Sequence, residues 1–147
     1  MPLGIEELPR LGTLGWNFDW GLELRELDRE IYVLITRQDP FTWQGLVSLE
    51  ERVDHVYMHL IEAAPTNRGR EKIYSGVAGN LVAFLCKKSF ELGHQGHVAF
   101  EAKTRLIDHY RNSLEAQLIG HSRMFIDNRE ARNLVTKYFP DFDYDRP

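Results

Sequence analysis

The stretch Tyr74-Ser75-Gly76-Val77-Ala78-Gly79-Asn80-Leu81-Val82-Ala83-Phe84-Leu85 decides how this chain folds. Its small residues stand at positions 76, 78 and 79, where a loop is expected to turn into a helix. Glycine at such a turn lets backbone N–H groups approach a phosphate without a β-carbon in the way. A helix N-terminus adds unpaired donors and partial positive charge. The pattern predicts a pyrophosphate-binding turn, and the plain alternative is a glycine-rich turn that packs a helix against a sheet.

Three strand-like segments precede this turn. Residues 30–36 are rich in β-branched and aromatic side chains, and residues 43–50 and 55–62 follow after short polar connections. Together they predict an antiparallel meander, in which Gly45 is a candidate bulge position. Pro65 stops the third strand.

After the turn, apolar residues recur at helical spacing from residue 78 to Phe90, and Gly93 fits a helix stop. Residues 96–102 read as a strand that returns parallel to the strand at 55–62, which makes a βαβ unit. The remaining expected elements are a helix over 104–114, a strand over 117–126 and a helix over 129–138 that Asn128 caps. The predicted class is α/β (α+β), with a mixed, mostly antiparallel sheet and flanking helices.

Composition limits the kinds of protein this chain can be. Its 147 residues suit one domain over 1–147, with an N-terminal arm at 1–20 and a loosely held tail at 141–147. The formal net charge of −4 argues against a general nucleic-acid binder, so we predict no nucleic-acid partner. The N-terminus lacks signal-peptide features, and no apolar run of membrane-spanning length exists. With one cysteine and no internal disulfide, these features predict a cytoplasmic protein without a membrane partner.

Metal and nucleophile chemistry find little support in the sequence. Six histidines are present, but their spacing with cysteine and acidic residues matches no zinc site, so we predict no metal. Cys86 lies among apolar residues of the expected helix and reads as a small buried hydrophobe. Ser75 has no histidine and acid beside it in the pattern, so we propose no nucleophilic catalysis.

Several short motifs follow one another in a characteristic order: Glu62-Ala-Ala-Pro65-x-Asn67-Arg68, Tyr74-Ser-Gly76-Val77-Ala78-Gly79-x-Leu81, Ser89-Phe-Glu-Leu-Gly93, Gly96-His-Val98 and Tyr110. Together they resemble the GCN5-related N-acetyltransferase (GNAT) superfamily, especially its small bacterial members, over about residues 30–140. The resemblance implies a sheet with a central splay, in which the strands at 55–62 and 96–102 separate after Glu62.

The resemblance also implies an acetyl-CoA site. In that family, backbone amides before the central helix hold the CoA pyrophosphate, and the preceding strand runs beside the pantetheine arm. Carried over to this sequence, the cofactor-binding residues are Ile61, Ala63, Ala64, Arg68, Gly76, Val77, Ala78, Gly79, Asn80 and Leu81.

Two residues receive catalytic roles from the resemblance. Tyr110 is the candidate acid that protonates the departing thiolate, and its alternative role is packing of the helix on the sheet. Glu62 is the candidate general base, directly or through water. Its alternative role is to close the strand and bind water or Arg68.

The resemblance implies an N-acyltransferase that uses acetyl-CoA as co-substrate and a small-molecule or protein amine as acceptor. The alternative is an inactive GNAT-fold module that binds CoA or a protein partner. Two departures from the family pattern keep this alternative in view: Ile73 stands where the family often has Gln or Arg, and the N-terminal helical pair is short or missing. A homodimer also stays open.

Overall fold

The computed structural model of the protein describes residues 15–64, 76–102, 111–112 and 114–145. Its elements in chain order are α1 (Trp20–Leu24), β1 (Glu30–Leu34), β2 (Gly45–Glu51), β3 (Val56–Ala63), α2 (Val77–Glu91), β4 (Val98–Glu101), β5 (Gln117–Ile119), β6 (Arg123–Ile126) and α3 (Asn128–Tyr138). Residues 111, 112 and 114 are helical, within the segment 104–114 where a helix was predicted. Within the described ranges, no helix has the length and apolar character needed to cross a membrane.

The six strands form one sheet in the order β1-β2-β3-β4-β6-β5. The pairs β1–β2 and β2–β3 are antiparallel, which confirms the predicted meander. β4 pairs parallel to β3 after the α2 crossover, and the β4–β6 and β6–β5 pairs are antiparallel. The sheet is therefore mixed and mostly antiparallel, as predicted, and contains the expected βαβ unit.

Each face of the sheet has its own apolar cluster. On one face, α2 and α3 pack against side chains such as Val47 and Met58 of the central strands. On the other face, Trp20 of α1 packs against strand residues that include Ile31 and Leu46. Burying these two faces supplies the main driving force for folding.

A β-bulge in β3 changes which face its later side chains reach. Leu49 of β2 pairs with Met58, while Ser48 pairs with Leu60, so His59 is the extra residue. An insertion of one residue exchanges the faces of all the side chains that follow. Accordingly, Met58 packs on the α2 side, whereas Leu60 packs on the Trp20 side. The bulge therefore decides that Glu62, two residues after Leu60, faces α1 instead of α2.

The predicted splay begins earlier than expected. β3 and β4 pair from Val56 with Val98 to Met58 with Phe100, and the ladder then stops, although β3 continues to Ala63. The strands therefore separate after Met58, not after Glu62. Two features account for this: the bulge follows directly in β3, and the N–H of Ala102 donates to Ser122 C=O at 2.8 Å, toward the β6 side.

Three local expectations need correction. The single strand predicted over 117–126 is a hairpin of β5 and β6, because Gly120 takes a left-handed φ of 77° and the chain reverses. Asp127, not Asn128, caps α3, since its carboxylate accepts from the N–H of Asn128. Gly45 lies in a regular antiparallel register and serves as a close-approach site instead of a bulge.

The C-terminal segment packs more closely than its sequence suggested. The ring of Tyr144 lies edge-on to Phe90 at 4.9 Å, and the ring of Phe142 lies tilted to Phe90 and edge-on to Tyr144. The guanidinium of Arg132 sits 4.4 Å from the Tyr144 ring, and the Tyr144 hydroxyl donates to the Arg132 carbonyl. Residues 142–144 are thus attached to α2 and α3, where only loose attachment was expected.

Candidate functional site: the start of helix α2 and the end of strand β3

Helix α2 begins with a glycine cap. Gly76 is its N-cap residue with φ 77°, and its carbonyl accepts from the N–H of Asn80 at 2.9 Å. No side chain caps this helix within the described part of the chain. Because the first N–H groups of a helix have no acceptor within it, they stay available at this end, where Gly76 and Ala78 are exposed. This is the local geometry of an anion-binding helix terminus.

The sheet holds this end of α2 unusually close. A β-carbon at Gly45 would lie 2.7 Å from Val77 Cγ1 and 2.9 Å from Leu81 Cδ1. Val77 and Leu81 are themselves buried, so their side chains belong to the core. Of the predicted cofactor residues, Val77 therefore offers a ligand mainly its backbone. Gly45 fixes the start of α2 against β2.

The predicted pantetheine-binding strand lies directly beside the splay. Ile61 and Ala63 are half-buried and pack against the α2-side cluster. Ala64 is buried, and its N–H donates to the Gln44 carbonyl at 2.9 Å. Among the described residues, β3 does not pair with β4 along this stretch, because the ladder between these two parallel strands ends at Met58 and Phe100.

Glu62 faces the N-terminal segment and holds it. Its Oε2 accepts from the N–H of Asn17 at 2.6 Å. Its Oε1 accepts from the N–H of Phe18 at 3.2 Å and from Trp20 Nε1 at 2.8 Å. The residue is only 7% exposed. A buried carboxylate requires such donors, so Glu62 anchors the segment that precedes α1.

Tyr138 also reaches this site, although the sequence analysis did not assign it a role there. A β-carbon at Gly79 would lie 2.6 Å from the Tyr138 hydroxyl oxygen, and one at Gly76 would lie 3.3 Å from it. The phenol of α3 therefore stands beside the first turn of α2. The sequence offered one signal, an aromatic residue at the end of an amphipathic helix, but no local pattern pairs it with glycines some sixty residues earlier.

Asn80 and Leu81 line a cavity on the other side of α2. Its volume is about 250 Å³. The other walls are apolar or aromatic: Tyr32, Val33, Leu34, Ile35, Phe84 and Phe139. Gly76 and Gly79 thus face Tyr138, whereas Asn80 and Leu81 face the β1 edge of the sheet.

The remaining reactive side chains are engaged elsewhere. Burial raises the pKa of the Cys86 thiol far above its usual range, so this thiol is not a nucleophile at neutral pH. His55 and His59 pair with Asp54 and Glu50, at 2.7 Å and 2.8 Å. Among the described residues, no group of three or more His, Cys, Asp or Glu side chains is arranged to hold a metal ion.

Two predicted site residues, Arg68 and Tyr110, lie outside the described residues. The structure brings most of the others together in two groups. Gly76, Val77, Ala78 and Gly79 form the start of α2, and Ile61, Ala63 and Ala64 lie at the end of β3, after its pairing with β4 has stopped. Asn80 and Leu81 belong to the cavity on the other side of α2. Glu62 belongs to neither group, because the bulge directs it to the opposite face.

No protein-family model matches the chain, and no curated protein is significantly similar to it. Solved structures match its fold at full probability.

The structure of AtaTR bound with AcCoA has a TM-score of 0.66 and 15% identity, and the match covers 92% of this chain and 96% of that one. A spermidine N-acetyltransferase, the SpeG chimera from Vibrio cholerae and hSSAT, has a TM-score of 0.59 and 16% identity, covering 90% and 96% of the two chains. The KacTA–DNA complex gives a TM-score of 0.59 and 16% identity, with 88% and 86% covered. Because that last structure contains DNA, the prediction that no nucleic acid is a partner gains no support here. The sheet order, the crossover helix and these matches agree, and the chain has the GNAT fold.

Proposed function

We propose that this protein transfers an acetyl or other acyl group from acetyl-CoA to an amine. The observation that carries the proposal is that β3 continues to Ala63, beyond its pairing with β4, beside the glycine-capped start of α2. A long, flexible thioester with a pyrophosphate at its middle suits a strand end that leads to a helix N-terminus. The structure of AtaTR bound with AcCoA, which has the same fold, supports this reading.

The proposed roles follow from chemistry. The backbone amides of residues 77–79, which precede the first hydrogen bond of α2, bind the pyrophosphate, and Ile61, Ala63 and Ala64 run beside the pantetheine. Because the thioester is already activated, the protein mainly aligns amine and thioester and moves two protons. Tyr110 is proposed to protonate the departing thiolate. Arg68 is proposed to form an ion pair with a phosphate group of CoA.

A second candidate function, a CoA-binding module without turnover, is favoured by one observation. The carboxylate of Glu62 already accepts hydrogen bonds from Asn17, Phe18 and Trp20. A general base needs a lone pair that reaches the substrate. The base role of Glu62 therefore stays a prediction.

Two measurements on the same protein distinguish the candidates. The first is the shift in melting temperature on adding acetyl-CoA, and the second is free-thiol release over a panel of polyamines, amino acids and lysine peptides. We expect a shift of several degrees at ligand concentrations far above Kd. Amine-dependent thiol release identifies the transferase, and a shift without release identifies the module. No shift at any concentration refutes both.

The phosphate cradle is tested at Ala78, whose side chain is exposed in the first turn of α2. Glutamate is well tolerated near a helix N-terminus, so Ala78→Glu should leave the melting temperature unchanged or slightly raised. The same charge repels a phosphate at the amides, so CoA affinity should fall at least tenfold. Calorimetric titration measures the affinity for CoA, and a thermal scan measures the melting temperature. Ala78→Gln is the matched uncharged control, and equal loss in both variants would contradict a charge effect.

Tyr110→Phe tests the proposed acid. The variant keeps the aromatic ring but deletes the proton, so turnover should fall by about 10²–10⁴-fold. CoA affinity should stay close to that of the unchanged protein, because the hydroxyl acts on the sulfur and not on the phosphates. Full activity of the Phe variant would assign Tyr110 to packing alone.

A further inference from the structure

We infer that Tyr138, the last residue of α3, donates a hydrogen bond to the pyrophosphate of the bound acyl-CoA. The inference rests on the proposed function and adds a specificity-determining residue to the same site. If Tyr138 has this role, α3, which comes after the last strand in the sequence, forms one wall of the cofactor site.

The position of the hydroxyl is set by two glycines. Gly76 and Gly79 are one turn apart, and β-carbons on them would lie 3.3 Å and 2.6 Å from the Tyr138 hydroxyl oxygen. Because this distance is 2.6 Å, a side chain at position 79 would displace the phenol. Glycine at these two positions therefore lets the phenol stand directly against the backbone of the first turn.

The other end of α3 is anchored, so the phenol has a defined location. Ala131 of α3 packs at Gly96, where a β-carbon would lie 2.7 Å from the Ala131 β-carbon. From there α3 runs along α2 toward the N-terminus of α2. At the C-terminal end of α3, the N–H of Phe139 donates to the Val135 carbonyl at 2.7 Å. Packing of Phe142 and Tyr144 on Phe90 holds the chain after the helix.

The Tyr138 hydroxyl group can donate a hydrogen bond to a ligand. It makes no hydrogen bond to any residue in the described ranges, and the side chain is half-buried. The neighbouring backbone groups are the first-turn amides of α2, which are donors as well. Donors that lie beside one another and share no acceptor can be bridged by an anion. A phosphate oxygen fits, because a neutral phenol donates strongly to a charged oxygen.

The test is Tyr138→Phe, with the affinities for CoA and dephospho-CoA measured by calorimetry. The two ligands share the pyrophosphate and differ only in the 3′-phosphate. Removing one donor to a charged oxygen should weaken both ligands by the same factor, about tenfold. Tyr144→Phe is the matched control, because it removes a hydroxyl from the same C-terminal region and should leave both affinities unchanged.

A second variant separates hydrogen bonding from packing. In Gly79→Ala the new methyl group displaces the Tyr138 hydroxyl, so CoA affinity should also fall. In the double variant Gly79→Ala, Tyr138→Phe, the loss should be no larger than in the single variants, because the same contact is already gone.

Unchanged affinity in Tyr138→Phe would overturn the inference. Weakening confined to CoA would overturn it too, since the contact would then be with the 3′-phosphate. Fully additive losses in the double variant would assign Tyr138 to packing. If the unchanged protein binds neither ligand, the proposed function itself fails; if it binds both and Tyr138→Phe binds equally well, only this inference fails.

Discussion

The start of α2 and the end of β3 lie side by side, yet their polar groups are satisfied in opposite ways. The carboxylate of Glu62 is closed off by donors from the N-terminal segment. The first-turn amides of α2 follow a glycine that offers no side-chain cap. A buried polar group that the fold satisfies serves the structure, whereas donors left open at an exposed helix end are available to a ligand. The comparison separates anchoring from binding within one small region.

Gly45 contacts both the start of α2 and the end of β3, and its replacement should have the largest effect on stability. A β-carbon there would lie 2.7 Å from Val77 Cγ1 and 3.2 Å from the Glu62 carbonyl oxygen. Gly45→Val should force α2 away from β2 and lower the free energy of unfolding by about 2–4 kcal/mol. CoA binding should be lost as well, because the first turn moves. Urea unfolding, monitored by tryptophan fluorescence, measures the loss of unfolding free energy.

Gly93→Ala is a suitable control for that variant. Nothing lies within 4 Å of a β-carbon at Gly93, and its φ of 84° is the only source of strain. We expect it to cost about 1 kcal/mol of unfolding free energy and to leave CoA affinity intact. Equal destabilisation by Gly45→Val and Gly93→Ala would show that close approach at β2 is not what fixes α2.

Glu62→Gln tests the anchoring contact at the end of β3 and should have an intermediate effect on stability. The amide keeps the shape of the side chain but turns an acceptor into a donor that faces other donors. The free energy of unfolding should fall by about 2 kcal/mol. Detachment of the N-terminal segment should also change the fluorescence of Trp20, which is 1% exposed in the folded protein.

Glu50→Gln on the neighbouring strand serves as the comparison, because Glu50 is partly exposed and its loss should matter little. One result would contradict the anchoring role of Glu62 and favour its role as general base. In that result, Glu62→Gln keeps full stability while turnover falls a hundredfold.

Acidification should have the smallest effect. The hydrogen bond to His59 lowers the pKa of Glu50, the one to His55 lowers the pKa of Asp54, and the one from Ser122 lowers the pKa of Glu101. A carboxyl whose pKa is lower in the folded state adds stability above its unfolded pKa, about 4, and loses it as pH falls through the folded pKa. Because these groups are near the surface, we expect the melting temperature to fall only slightly through their protonation between pH 5 and pH 3.

Thermal scans across that range, with Glu50→Gln as the reference variant, measure this contribution. The variant should show a shallower decline than the unchanged protein. An equal decline in both would show that the His59–Glu50 pair adds nothing to the pH dependence.

The sequence by itself predicted the meander, the crossover helix and the parallel return strand, because these depend on local signals. Alternating and helical periodicities arise from neighbouring residues, and so do glycine and proline punctuation. The same signals located the first turn of α2. They failed between residues 117 and 126, where a glycine turn interrupts a run that otherwise resembles one strand.

The tertiary structure alone decided which face Glu62 uses and what stands beside Gly79. A bulge is defined by the register between two strands, so neither strand shows it alone, yet one extra residue at His59 reverses every later side chain. In the same way, Tyr138 reaches the start of α2 because α3 packs along it. Both results depend on contacts between residues far apart in the chain, which local periodicity does not encode.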